Sequence, residues 1–205
     1  MLQSLNTLIG SSIHARDGEI GTASDYLFDD ETWTVRYIVV ETGTWLASRR
    51  VLISPAAVSQ PEWDRRIIPV LLTKDQVQDS PAVDTNLPVS RRQEIAMNQY
   101  YGWPGYGSLG LMAPPPVAEG LAEPEGNPHL RSAREVAGYE VAATDGILGR
   151  LDDFIIQDAD WFVRYLAVGT GTWFAGHNLL VPTRWVESVS WSERRILLTQ
   201  PREKL

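Results

Sequence analysis

The chain has no cysteine among its 205 residues, so disulfides and thiolate metal sites are excluded. No apolar run approaches the ~20 residues that a membrane-spanning helix needs. The opening Met1-Leu2-Gln3-Ser4 lacks a basic segment leading into an apolar core, so no secretory signal is expected. Positive charge is also short: 18 Lys and Arg stand against 26 Asp and Glu, for a net charge of −8. Such a surface repels a phosphate backbone, which argues against direct nucleic-acid binding. The paired arginines Arg49-Arg50, Arg65-Arg66, Arg91-Arg92 and Arg194-Arg195 are too scattered to reverse that balance. These absences together give a cytoplasmic protein without a membrane span.

What is present is a sequence written twice. Asp17-Gly18-Glu19-Ile20-Gly21 recurs as Asp145-Gly146-Ile147-Leu148-Gly149. Trp33-Thr34-Val35-Arg36-Tyr37 recurs as Trp161-Phe162-Val163-Arg164-Tyr165, and Thr42-Gly43-Thr44-Trp45 as Thr170-Gly171-Thr172-Trp173. Each pair is 128 positions apart, as are Gly10 and Gly138, and Trp63 and Trp191. The boundaries that follow are a first copy over 1–79, a connector over 80–130 and a second copy over 131–205. Six of the eight tryptophans fall at paired positions. A unit of about 75 residues buries only about 60% of its unfolded surface. The copies, or two chains, are therefore expected to pack together, and a homo-oligomer is compatible with this.

The pattern inside each copy is β. Asp-Gly is a hairpin signal, because glycine takes positive φ and aspartate caps the turn. Strands are predicted over 11–15, 20–28, 33–41, 50–53, 57–60 and 67–72, with counterparts over 139–143, 148–156, 161–169, 178–181, 186–191 and 194–198. Five or six short strands joined by tight turns suit a small closed or nearly closed barrel, since closure removes exposed edges. Ser132-Ala133-Arg134-Glu135 fits a capping box and predicts a helical turn leading into the second copy.

Eight of the thirteen prolines lie between Ser80 and Pro128, which forbids regular strands there. Ser90-Arg91-Arg92-Gln93 fits a second capping box, with a helix continuing through Glu94 to Tyr101. Tyr100, Tyr101, Trp103 and Tyr106 then crowd beside Gly and Pro. A solvated linker rarely carries so many aromatics, so this segment is expected to dock on a barrel or a partner.

These motifs resemble the PRC-barrel family, the small β-barrel of the cytoplasmic part of the photosynthetic reaction-centre H subunit and of a ribosome-maturation factor. The resemblance rests on the glycine before the first strand, the Asp-Gly-x-x-Gly hairpin and the strand Trp-x-Val-Arg-Tyr. It rests further on Thr-Gly-Thr-Trp, the apolar strand ending in Pro, and the late Trp, all found twice. It implies a mainly β fold: two small PRC-type barrels related by the repeat and joined by a Pro/Gly-rich connector with one short helix. This chain lacks the membrane helix of the H subunit and the dissimilar second barrel of the maturation factor. A barrel serving as a protein-binding adaptor is what the resemblance implies, with links to reaction-centre assembly or electron-transfer complexes, or to a basic ribosomal protein, as the family's two contexts.

No catalytic set or cofactor is expected. His14, His129 and His177 do not match between copies, and neither a Gly-x-Ser-x-Gly elbow nor a phosphate loop occurs. The acidic turns offer Asp29, Asp30, Glu31, Asp158 and Asp160 as candidate ligands for a hard cation or as proton carriers; solvent-facing turn positions are the alternative. Arg36 and Arg164 sit in apolar strands, either laid along their neighbours toward solvent or paired with a carboxylate such as Asp25 or Asp153. Trp45 with Leu46, and Trp173 with Phe174, follow Thr-Gly-Thr in a loop. With Tyr100, Tyr101, Trp103 and Tyr106 they are the candidate partner-binding residues; capping the barrel end is the alternative role for the two tryptophans.

Overall fold

A computed structural model describes residues 1–46, 49–81, 91–103, 129–171 and 178–205. In chain order its strands and helices are β1 (Leu2–Ser4), α1 (Leu5–Leu8), β2 (Ser12–Ala15), β3 (Gly18–Asp29), β4 (Thr34–Glu41), β5 (Arg50–Ile53), β6 (Ile67–Pro69), α2 (Lys74–Gln78) and α3 (Arg91–Tyr101). The second half continues with β7 (Leu130–Ser132), α4 (Ala133–Val136), β8 (Glu140–Ala143), β9 (Gly146–Gln157), β10 (Phe162–Gly169), β11 (Asn178–Pro182), β12 (Val186–Ser190) and β13 (Arg195–Leu198). Among the described residues no helix is long and apolar enough to cross a membrane. The protein is mainly β.

Two compact units form. One gathers Gly10–Ser24 and Tyr37–Leu130; the other gathers Met1–Ile9, Asp25–Arg36 and Arg131–Leu205. The first unit carries the strand order β5-β4-β3-β2-β6. The β2–β3 hairpin turns at Asp17-Gly18, and its register slips between Ile13 and His14, leaving Ile20 as the extra residue of a bulge. At that bulge a Cβ on Gly21 would lie 2.0 Å from the carbonyl oxygen of Glu41. The last glycine of Asp-Gly-x-x-Gly is therefore a backbone contact point rather than a turn residue. Ile13, Ile20, Ile38, Leu52, Ile53 and Ile68 fill the core of this unit and are fully buried. In β4 both faces are buried from Tyr37 to Val40, so the apolar run Ile38-Val39-Val40 replaces simple alternation.

The second unit carries the order β11-β10-β9-β8-β13-β12, with β1 added to β9 and the far ends of β3 and β4 completing it. Among the described residues no ladder joins β12 to β11, so of the closed or nearly closed barrel expected the sheet is not the fully closed form. The chain between them turns through Thr183–Trp185, where the Thr183 hydroxyl donates to the Val163 carbonyl at 3.0 Å in place of a ladder.

Short segments from both copies interleave here. The lead-in strand of the first copy, β1, pairs antiparallel with β9 of the second, with Leu2 opposite Gln157 and Ser4 opposite Ile155. The lead-in of the second copy, β7, pairs with β3 of the first. Thr34 pairs with its own counterpart Phe162. On either side Val35 N–H donates to Trp161 O at 2.9 Å, and Val163 N–H to Trp33 O at 2.7 Å. Equivalent residues facing one another in an antiparallel pair mark a local two-fold. Around it Phe28 meets Phe154 at 4.9 Å and Tyr26 stacks on Trp161 at 6.3 Å.

Several expected strand limits shift. Trp33 and Trp161 adopt positive φ (56° and 58°), closing the turns before β4 and β10, so both strands start one residue later. The predicted strand over 57–60 is a short helical turn at Pro55–Ala57 followed by a single bridge from Val58 to Val70. Pro55 and Pro61 flank it and supply no ladder donors. The predicted strand over 67–72 narrows to β6, with the Thr73 capping box starting α2 soon after.

Candidate functional site

The acidic turns are engaged by the protein itself. Asp29 is fully buried; its Oδ1 accepts from Glu31 N (3.1 Å), Thr32 N (2.7 Å) and Thr32 Oγ1 (2.9 Å), so it builds the turn. Asp30 meets Arg131 at 2.6 Å, Asp158 meets the Met1 ammonium at 2.5 Å, and Asp160 meets Arg164 at 2.5 Å. Glu31 is exposed. Among the described residues no group of three or more His, Asp or Glu is placed to hold a metal ion.

The repeated arginines are paired with carboxylates, but not with Asp25 or Asp153. Arg36 reaches Asp29 at 3.9 Å, and Arg164 reaches Asp160 while its Nε donates to Gln157 at 3.1 Å. Gln157 is the counterpart of Asp29, so the turn residue receives the arginine in both copies. Asp25 and Asp153 point instead to the starts of short helices. Asp25 accepts from Ser132 Oγ at 2.5 Å and from Arg134 N at 3.1 Å at the head of α4. Asp153 accepts from Ser4 Oγ, and from Asn6 N at 3.0 Å, at the head of α1. A carboxylate suits both places, because the first N–H groups of a helix have no partner within it. Burial pushes the Asp25 carboxyl above its ordinary value, and the hydrogen bonds from Ser132, Arg134 and Tyr26 only partly offset that.

Two of the aromatic candidates that the structure describes, Trp45 and Tyr100, converge on α2, in the first unit. Asp17, the turn aspartate of the first hairpin, accepts from Lys74 N at 2.9 Å, and Thr73 and Gln76 close a capping box. These bonds fix a helix of only five residues, too short to hold itself. Lys74 Nζ lies 5.5 Å above the Trp45 ring, whose indole N–H donates to Ile20 O at 2.6 Å. Leu46 sits beside Trp45 in the same turn, Gly43–Leu46, and both are half-buried. From the other side the Tyr100 hydroxyl donates to Gln76 O at 3.0 Å. Tyr100 meets Tyr101 edge-on at 4.8 Å, and Tyr101 stacks on Trp103 at 4.2 Å and 16°. Burial raises the Tyr101 phenol above its ordinary value, so it stays neutral.

One tether escaped the sequence reading. Arg49 donates to Gln78 O (3.1 Å), Ser80 O (2.7 Å) and Pro81 O (3.2 Å), tying down the chain just past α2. Its only signal in the sequence was disagreement: the second copy has His177 at the matching place. The second copy repeats the helix-head contact, with Arg202 N donating to Asp145 at 2.8 Å, and this bond is the main cause holding the Asp145 carboxyl below its ordinary value. Trp173, Phe174, Tyr106 and His177 lie outside the described residues.

Comparison with known proteins places both halves together. The PRC-barrel domain family matches residues 3–77 and again 128–205. An uncharacterized protein of Deinococcus radiodurans is 36% identical over 72 residues, covering 35% of this chain. The matched stretch spans only 26% of that relative's length. With both repeats matched across most of its length, the chain belongs to the PRC-barrel domain family.

Proposed function

We propose that this protein is a non-catalytic adaptor that binds another protein through the aromatic surface around α2. One observation carries the reading: residues 55 positions apart, Trp45 and Tyr100, both contact the five-residue α2, at Lys74 and at Gln76. Tyr100 is still 41% exposed, and Trp45, Leu46, Tyr101 and Trp103 are half-buried. Rigid aromatics held by hydrogen bonds and left partly open are the usual anchors of a protein interface. The acidic balance of the chain favours a basic partner. Family membership supports a binding role, and its two known contexts, reaction-centre or electron-transfer complexes and a basic ribosomal protein, are the partner classes to test.

The test compares the full chain with a Trp45→Ala/Tyr100→Ala/Trp103→Ala variant in pull-downs from its native cells and in co-sedimentation with ribosomal subunits. A specific protein retained by the parent and lost by a variant with the same circular dichroism supports the reading. Equal retention by both chains rejects the α2 surface, and co-sedimentation selects the ribosomal partner.

A further inference from the structure

We propose that a second copy of this chain is a partner, and that it binds by the contact the two repeats already make: each repeat exchanges its mate for the opposite repeat of the other molecule. The argument starts from the ladders. β1 belongs to the first copy but finds its strand partner, β9, in the second. β7 belongs to the second copy but pairs with β3 of the first. The helix-head contacts cross in the same reciprocal way, Asp153 receiving Ser4 and Asn6 while Asp25 receives Ser132 and Arg134. The Thr34–Phe162 pair and its flanking bonds add a self-complementary centre.

Every one of these contacts joins one repeat to the other, and none depends on the two repeats sharing a chain. A first repeat meeting a second repeat from another molecule makes the same ladders, caps and aromatic contacts. This is the isologous arrangement that domain exchange reaches at little cost, because the closed interface itself is unchanged. What favours the single-chain form is the local concentration imposed by the connector, at most on the order of mM, the value reached by a short flexible linker. The single-chain form therefore dominates when dilute, and exchange sets in as chain concentration approaches that value.

The absence of cysteine makes this directly readable. Leu2 and Gln157 are opposite one another across the β1–β9 ladder. Opposed residues of an antiparallel pair have Cα atoms about 4.5–5.5 Å apart, within disulfide range. A Leu2→Cys/Gln157→Cys chain is unfolded, refolded at about 1 µM and at about 1 mM to bracket the tether's effective concentration, then oxidised and run without reductant. The expected result is a disulfide within one chain in the dilute sample and a disulfide-linked dimer as a major species in the concentrated one. In parallel, tagged and untagged parent chains are refolded together at both concentrations. Untagged chain is expected to be retained on the tag resin only after concentrated refolding.

Intrachain disulfides at both concentrations overturn the proposal, and so does a dimer by light scattering whose disulfides remain intrachain. Absence of any disulfide shows that β1 does not lie on β9 and overturns it as well. Failure to recover soluble chain from the concentrated sample counts against it, since an exchanged dimer is closed. A failed pull-down at the α2 surface leaves these outcomes untouched.

Discussion

Asp25 and Ser132, 107 positions apart, are joined by a hydrogen bond of 2.5 Å, and Asp153 and Ser4 repeat the contact from the opposite copy. In each case a β-strand carboxylate extends the N-cap of a four-residue helix. Ser132 caps Glu135 N at 3.0 Å while donating its own hydroxyl proton to Asp25. Replacing Asp25 by Ala removes the acceptor of the part-buried Ser132 hydroxyl, whereas the exposed Arg134 N–H can turn to water. Leaving a partly buried donor unmade costs about 1–3 kcal/mol. Asp25→Ala and Asp153→Ala should each lower the urea midpoint with an unchanged m-value. Because the sites use different residues, the double variant should lose close to the sum. A midpoint shift indistinguishable from zero in either variant would remove the carboxylate from the set of contacts that hold the lead-in.

The same carboxylate sets a pH dependence. Burial raises the Asp25 carboxyl above its ordinary value of 3.8 in the folded protein. A raised folded value means the native state holds the proton more tightly than the unfolded chain. The stabilisation is complete below 3.8 and is lost as pH rises through the folded value. Asp145 runs the other way: its lowered carboxyl contributes stability above 3.8 that is lost as pH falls. In Asp25→Asn the first term is absent, because asparagine does not titrate. The parent should therefore gain on the variant as the buffer is taken from neutral toward 3.8. Urea midpoints of the two proteins measured across that range should converge or cross; parallel curves would mean that Asp25 titrates as it does in the unfolded chain.

How far the sequence foretold this arrangement depends on the kind of constraint. The constant spacing identified equivalent positions, and the Asp-Gly and β-branched patterns placed most strands, because those signals are local. Which copy completes which was not legible: β1 has the same sequence environment whether it pairs within its repeat or across to β9. Asp25 gave no sign of its role either, since its partners Ser132 and Arg134 are brought to it only by the fold. Trp33 reads as a strand residue by propensity, yet the tight turn after Asp29 requires positive φ there. The convergence of Trp45 and Tyr100 on α2 was likewise invisible, although both had been singled out as aromatic residues outside regular strands.

Arg49 offers a sharper test of the ground beneath the aromatic surface. Its guanidinium collects the carbonyls of Gln78, Ser80 and Pro81. Hydrogen bonds to a charged donor contribute about 1.5–3 kcal/mol before solvent screening. Arg49→Lys keeps the charge but cannot spread three donors over these acceptors. Amide exchange across 78–80 should quicken in Arg49→Lys and more so in Arg49→Ala, while β2 and β3 exchange as in the parent. Equal protection of 78–80 in all three proteins would show that Arg49 does not hold this segment.

The repeated glycines of the two hairpins share a constraint that Gly43, in the Thr-Gly-Thr-Trp turn, does not have. A Cβ at Gly21 would fall 2.0 Å from Glu41 O, and one at Gly149 would fall 2.2 Å from Gly169 O, so backbone must move in both copies. Gly43 has φ of 64° with nothing within 4 Å of a built Cβ, leaving only the conformational cost. That cost is about 1–2 kcal/mol for a residue forced into the left-handed region. Gly21→Ala and Gly149→Ala should exceed 4 kcal/mol, roughly the level reserved for changes that break a backbone contact. Gly43→Ala should fold and melt about 4–16 °C lower, at about 4–8 °C per kcal/mol for a unit of this size. Thermal melts rank the three directly. If Gly21→Ala melted alongside Gly43→Ala, the close crossing of β3 and β4 at Glu41 would not exist in solution, and the second glycine of the repeated hairpin would need another explanation.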